Sequence, residues 1–314
     1  MRVDSNVRIV GGQESSNNDA IGVYCAKDPV SGIASRCTVQ NNRLIQGSGA
    51  GFPPRATGVQ CDVGACALVE KNLITARGGQ RTFGVVLNGA GTLVRKNQIE
   101  AGCATVEGVG LLSLDSFARV ENNQVRGSVC PNTGMGPMFS PTSTAVKVII
   151  GLGGSELDLH SNSVAPFGGR GAACVSRALT FEVMDAGAPA GPSGLVRNNV
   201  LHAGVCATAR PVEELSAGAD PRLFENNDLF TSADGGLYLD EGTLALPDVT
   251  AVNMLSGAAA TMAADPQYDG GVHLAPTSPC RNAGTASGAP GDDFDGDARP
   301  QETTIDLGAD EFIP

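Results

Sequence analysis

The sequence predicts an all-β chain folded as a parallel β-helix, a solenoid of about eight coils. Three observations predict it: a short phrase that recurs at roughly 25-residue spacing, runs of Val, Ile and Leu ahead of it, and an unusual composition. The 314 residues include 42 glycines, no Trp and three Tyr, with aromatics at 4%. Many glycines and few aromatics suit frequent tight turns around small stacked side chains. A hydrophobic share of 41% still provides a sizeable core, which excludes wholesale disorder.

The recurring phrase reads apolar, two polar residues, Asn, any residue, apolar. It appears as VQNNRL from Val39, VEKNLI from Val69, VRKNQI from Val94 and VENNQV from Val120. Further copies are LHSNSV from Leu159, VRNNVL from Val196 and FENNDL from Phe224, with a degenerate VDSNVRI from Val3. The aligned asparagines are Asn6, Asn42, Asn72, Asn97, Asn123, Asn162, Asn199 and Asn227. Apolar residues at minus three and plus two fit two inward-pointing side chains flanking a bend. Asn tolerates the left-handed backbone that a bend needs. Equivalent Asn side chains stacked about 4.8 Å apart can hydrogen-bond along the stack. Leucine-rich repeats also carry a periodic Asn, but the L-x-x-L-x-L frame is absent; a β-propeller needs larger periods and blade-specific aromatics.

A second apolar run precedes several of the asparagines: FGVVLNG at 83–89, VGLLSLD at 109–115, AVKVIIG at 145–151 and ALTFEVM at 178–184. Such short, β-branched runs read as strands. Three strands and three turns make one coil of about 25 residues, and longer separations mark insertions. Residues 1–246 are therefore expected to form the coils, with GGLYLDEGTLAL at 235–246 as the last coil's sheet strand. Residues 247–314 are expected to form an irregular cap packed on the same solenoid, because an open end exposes strand edges and core. At the other end, either a loop over 13–36 folds across the opening or an upstream segment covers it.

With these phrases in place, the chain resembles the right-handed parallel β-helix proteins of the pectin-lyase-like superfold over about residues 1–245. Its ending resembles secreted bacterial β-helix proteins of the choice-of-anchor Q type. The residues carrying that likeness are DPQYDGGVHLAPTSPCRNAG at 265–284, DFDGDARP at 293–300 and DLGADEF at 306–312. Tyr268 stands where that family has Phe, and Cys280 follows Ser278-Pro279. The likeness implies a bacterial extracellular or cell-surface location, and the family is defined by fold and export rather than by one activity. MRVDSNVRIVGG lacks the apolar stretch of a signal peptide, so export and anchoring segments are expected to lie outside this sequence.

Nine cysteines without CxxC spacing, alongside only three histidines, point to disulfides in an oxidising compartment rather than to zinc. Cys103 and Cys130 follow consecutive asparagines by six and seven residues, which stacks them on adjacent coils and predicts a bond. Cys174 with Cys206 is a second cross-coil candidate. Cys25 with Cys37 and Cys61 with Cys66 would close local loops. Cys280 is left over as a small buried hydrophobe.

A net charge of −12 with no basic cluster argues against nucleic acid and anionic membrane as partners. No apolar run reaches membrane-spanning length. A monomer that meets a surface partner or a glycan is the expectation. RIVGG at 8–12 matches an activated protease N-terminus, but no Gly-Asp-Ser-Gly-Gly segment follows. Polysaccharide cleavage is the enzymatic alternative. Lyases of this fold combine clustered acids with a Lys or Arg base on one sheet face, and here Lys147 aligns with Glu182 one coil later as the candidate pair. A solvent-exposed ion pair explains the same two residues. Lys71 and Lys96 read as solvated turn residues, and His160 and His202 as covers over turns. The Asn-Thr-Asp, Asp-Asp, Gly-His-Gly and Arg-x-Lys elements of the hydrolases are missing, and few aromatics argue against a long sugar-binding groove. The competing class is a rigid, non-catalytic spacer or adhesin, whose loops, such as 127–144, carry recognition.

DDFDGDARP at 292–300 is the one candidate for calcium, through Asp293, Asp295 and Asp297. An EF-hand loop needs glycine at its sixth position and a bidentate Glu at its twelfth. Counting from Asp293, those places hold Ala298 and Thr304. Asp295-Gly296 suits a tight turn instead, and Arg299 has Asp306, Asp310 and Glu311 as candidate partners. The stretch is expected to be a structural closure.

Overall fold

The computed structural model describes all residues except 13–18, 28–29, 33–35, 49–52, 129–141, 152–154, 166–173, 185–193, 205, 207 and 232–235. The described residues combine short strands with turns, bends and irregular chain, and include one short helix, Val249–Val252. Among the described residues, three sheets, here A, B and C, hold nine, eight and nine strands, all parallel except the last strand of sheet C. The chain visits them in rotation. Leu93–Arg95 lies in sheet A, Gln98–Glu100 in B and Ala104–Leu114 in C; Arg119–Glu121 then returns to A beside its predecessor. Each round places equivalent residues in register, as in Val69, Val94 and Val120. All three valines are fully buried, as are Ile74, Ile99 and Val125 across the bend in sheet B. Burying each such side chain contributes roughly 1.5–3 kcal/mol, and the stacking forms one continuous core.

The bend between sheets A and B carries the asparagines. Each side-chain amide donates to the Oδ1 of the next: Asn42 to Asn72 at 2.8 Å, Asn72 to Asn97 at 3.0 Å, Asn97 to Asn123 at 3.0 Å and Asn123 to Asn162 at 3.0 Å. Asn162 continues to Asn199 at 3.0 Å, and Asn199 to Asn227 at 3.1 Å. The backbone N–H of each donor asparagine reaches the same oxygen, as for Asn97 at 3.0 Å. Each amide also meets a carbonyl two residues back and one in the preceding round; for Asn97 these are Arg95 and Val69. The aligned amide dipoles thus satisfy a bend whose asparagines are buried in seven successive rounds.

Two details differ from the sequence reading. The left-handed residue is not the aligned asparagine but the one before it: Asn41, Lys71, Lys96, Asn122, Ser161, Asn198 and Asn226 all have φ between 49° and 58°. The aligned asparagine's side chain is then free to point along the stack. In the first two rounds the inward residue falls three places after the asparagine, with Ile9, Ile45 and Ile74 in register, so Leu44 is displaced from the core.

Among the described residues, three disulfides join Cys25 to Cys37, Cys61 to Cys66 and Cys174 to Cys206, with Cα separations of 6.0, 5.6 and 5.2 Å. The first two close successive corners between sheets C and A, since Cys25 pairs with Cys61 and Cys37 with Cys66 across neighbouring strands. Cys103 is disulfide-bonded. Cys130 lies outside the described residues, as does most of the 127–144 loop and part of 13–36. Cys280 is a buried free thiol.

The C-terminal residues do two jobs rather than one. Tyr238–Asp240 is the last parallel strand of sheet C, and Leu244–Leu246 folds back antiparallel to it, so the described part of 235–246 holds a hairpin, Tyr238–Leu246, rather than a single strand. The helix and Ala258–Ala259, which joins sheet A, complete this end. Residues 283–292 then run back along the A–B bend as a strap. Asn226 donates to the Ala283 carbonyl at 3.1 Å, Asn198 to Thr285 at 2.8 Å, Arg197 to Ser287 at 2.7 Å and Asn122 to Asp292 at 2.6 Å. Lys96 is no solvated turn residue: its side chain is 3% exposed and its Nζ pairs with Asp292 at 2.6 Å.

Candidate functional site

Sheet C carries the outward charges singled out in sequence. Lys147 lies directly beside Thr180, and Glu182 beside Ile149, so the expected pair is offset by two residues. The long lysine side chain bridges the offset diagonally, reaching Glu182 at 3.2 Å and Glu107, in the preceding round, at 3.4 Å. Next to it, buried Glu213 accepts from Arg177 Nε and, at 2.7 Å, from Arg210 Nη1. Two ion-pair triads, Glu107–Lys147–Glu182 and Arg177–Glu213–Arg210, thus lie on four adjacent strands.

The acidic loop is organised around one carboxylate. Asp293 is fully buried, and its Oδ1 accepts the backbone N–H groups of Asp295, Gly296 and Asp297 at 2.8–3.0 Å. Its Oδ2 accepts the Glu311 N–H at 3.0 Å. Four backbone donors therefore surround the residue that would lead a calcium loop. Asp295 faces His273 at 3.5 Å, and Asp297 closes the turn through its carbonyl, which accepts the Asp293 N–H at 2.9 Å. Of Arg299's candidate partners only the Glu311 side chain pairs with it, at 3.0 Å, with both side chains buried. Asp306 accepts the Asn282 and Phe312 N–H groups instead, and Asp310 accepts the Leu274 N–H and faces His273. His160 is buried between Ser161 and the strap carbonyl of Ser287, and burial depresses its imidazole to about 4. His202 packs on Phe230 at 4.8 Å.

A site not singled out in sequence lies where sheet C ends. One inward row of this sheet runs Leu87, Ser113, Val148, Phe181 and then Glu214. A carboxylate therefore occupies a core position. Glu214 is 1% exposed, and it lines a cavity of about 450 Å³ together with Asp220, Arg222, Tyr238, Asp240 and Glu241. The Tyr238 hydroxyl donates to Glu214 Oε1, while Glu214 Oε2 is buried without a hydrogen-bond partner. Glu214, Asp220 and Asp240 each offer an oxygen within 4.8 Å of the others. Burial, opposed by the Tyr238 hydrogen bond and reinforced by the two aspartates, pushes the Glu214 carboxyl up to about 8. In sequence the only signal is Glu-Glu at 213–214, which breaks the inward-outward alternation of TARPVEELS. Without the register, that reads as a solvated turn.

Compared with family profiles, curated proteins and solved structures, the chain matches none. Among the described residues, no helix is long and apolar enough to cross a membrane.

Proposed function

We propose that the chain is a right-handed parallel β-helix acting as a rigid, non-catalytic structural, adhesive or ligand-binding module at a bacterial cell surface or outside the cell. Rotation of the strands through three parallel sheets supports the solenoid, and the strong right-handed preference of parallel crossovers supports its hand. The disulfides favour an oxidising location. The C-terminal phrases keep the chain's resemblance to choice-of-anchor Q proteins within this proposal.

The observation that carries the non-catalytic reading is the contact of Lys147 with both Glu107 and Glu182. The candidate base joins three strands in an ion-pair lattice rather than presenting an unpaired amine to a ligand. The runner-up, a lyase or hydrolase acting on an acidic polysaccharide, draws on the same cluster, since Lys147, Arg177 and Arg210 share a face with three acids. Incubation of the full chain with acidic polysaccharides and calcium separates the two, and turnover would overturn the preferred reading.

A further inference from the structure

We propose that Glu214, Asp220 and Asp240 form a binding site for a divalent cation of the calcium class at the C-terminal end of sheet C. The inference is independent of whether the long face is catalytic.

Three observations converge on it. First, Glu214 occupies a row that holds Leu87, Val148 and Phe181 in earlier rounds, so its burial is imposed by register. A buried carboxylate demands compensation. Tyr238 compensates one oxygen only; Oε2 has no donor, and Glu214 lines the cavity with Asp220 and Asp240. Second, the three carboxylates converge with oxygens inside 4.8 Å, and among the described residues no lysine or arginine pairs with any of them. Arg222, the basic residue on the cavity wall, pairs with Glu156 at 2.9 Å instead. Carboxylates so close repel unless a proton or a cation lies between them. Third, the cavity's described lining has neither His nor Cys, and Ser256 and Glu241 add further oxygens. An all-oxygen donor set selects a hard cation, and three carboxylates with room for water suit the six to eight ligands of calcium.

The position gives the ion a task. Glu214 ends one strand, Asp220 lies in the following turn, and Asp240 ends the last parallel strand before the chain reverses. A cation here ties two rounds of sheet C to the hairpin that closes it.

The test is calcium titration of the metal-stripped full chain by calorimetry, with thermal unfolding in parallel. One equivalent is expected to bind, with an affinity of about 0.1–1 mM as in extracellular modules, and to raise the Tm. Asp220 is exposed, so D220N keeps the fold and is expected to weaken binding at least about tenfold. E214Q, which keeps the buried shape, is expected to do the same and to abolish the calcium-dependent rise in Tm. D295N, at the exposed His273 cluster, is expected to bind as the parent does. Absence of binding by the parent chain at about 10 mM calcium, well above that range, overturns the proposal in favour of a proton shared between Glu214 and Asp240. Binding retained in both D220N and E214Q but lost in D295N also overturns it.

Discussion

The side-chain amide of Asn97 and its backbone N–H both donate to Oδ1 of Asn123, each at 3.0 Å. Asn123 in turn donates to the carbonyls of Val94 and Glu121 and to Asn162. One buried side chain thus serves three rounds of chain. Asn123→Ala leaves donors and acceptors unmet on both sides, with an expected cost of about 3–5 kcal/mol. Asn6→Ala, at the exposed end of the ladder, is expected to cost under about 1 kcal/mol. Denaturant unfolding of the two variants checks the contrast.

Lys71 is exposed and holds φ at 54° immediately before a ladder asparagine. A β-branched side chain is strained there, whereas Asn occupies the same place at 41, 122, 198 and 226. Lys71→Val is expected to cost about 1–2 kcal/mol and Lys71→Asn to be near neutral. Equal stability of the two variants would show that the bend does not impose this backbone.

These bends also mark where sequence reading succeeds and stops. The ladder was legible because a buried Asn needs a specific frame, apolar on either side, that chance seldom repeats. The left-handed position was not, because Lys71 and Lys96 give no hint of it and two neighbouring polar residues compete for the role. Lys96 read as solvated because its partner, Asp292, lies almost 200 residues away in sequence. Glu214 was missed for a related reason: its burial follows from cross-strand register with Phe181, which spacing near Asn199 does not reveal. The four backbone donors around Asp293 come from Asp295, Gly296, Asp297 and the distant Glu311, the last of which local spacing does not reveal.

Arg299 and Glu311 form a buried pair, and the guanidinium also donates to the carbonyls of Asp306 and Gly308. Removing one partner strands a buried charge. Arg299→Met is expected to cost about 3–5 kcal/mol, and Arg299→Met with Glu311→Leu to recover part of it. Hydrogen exchange should locate the loss in the C-terminal segment, with faster exchange at Thr285 in the strap and at Leu307 beyond it, whose N–H groups are donated to Asn198 and to the Cys280 carbonyl.

Asp228 is fully buried beside the Cys280 thiol, 3.6 Å away, and accepts the Ala264 N–H. Burial raises its carboxyl from 3.8 to about 7. The folded chain therefore holds this proton more tightly than the unfolded chain does. Its stabilising contribution is complete below about pH 4 and is lost as pH rises through about 7. Asp228→Asn keeps an acceptor for Ala264 but does not titrate. The Tm of the variant relative to the parent is expected to rise between pH 5 and pH 8, by several degrees for a difference of about 1–2 kcal/mol.

The central claim is that the Glu107–Lys147–Glu182 lattice supports a binding module rather than a catalytic one. The most direct measurement follows new reducing ends and unsaturated uronic products when the full chain is incubated with acidic polysaccharides and calcium, beside a Lys147→Met variant. The expected result is no product from either chain and a stability difference of under about 1 kcal/mol between them. Turnover by the parent that disappears in Lys147→Met would contradict the claim and make Lys147 the base of a lyase.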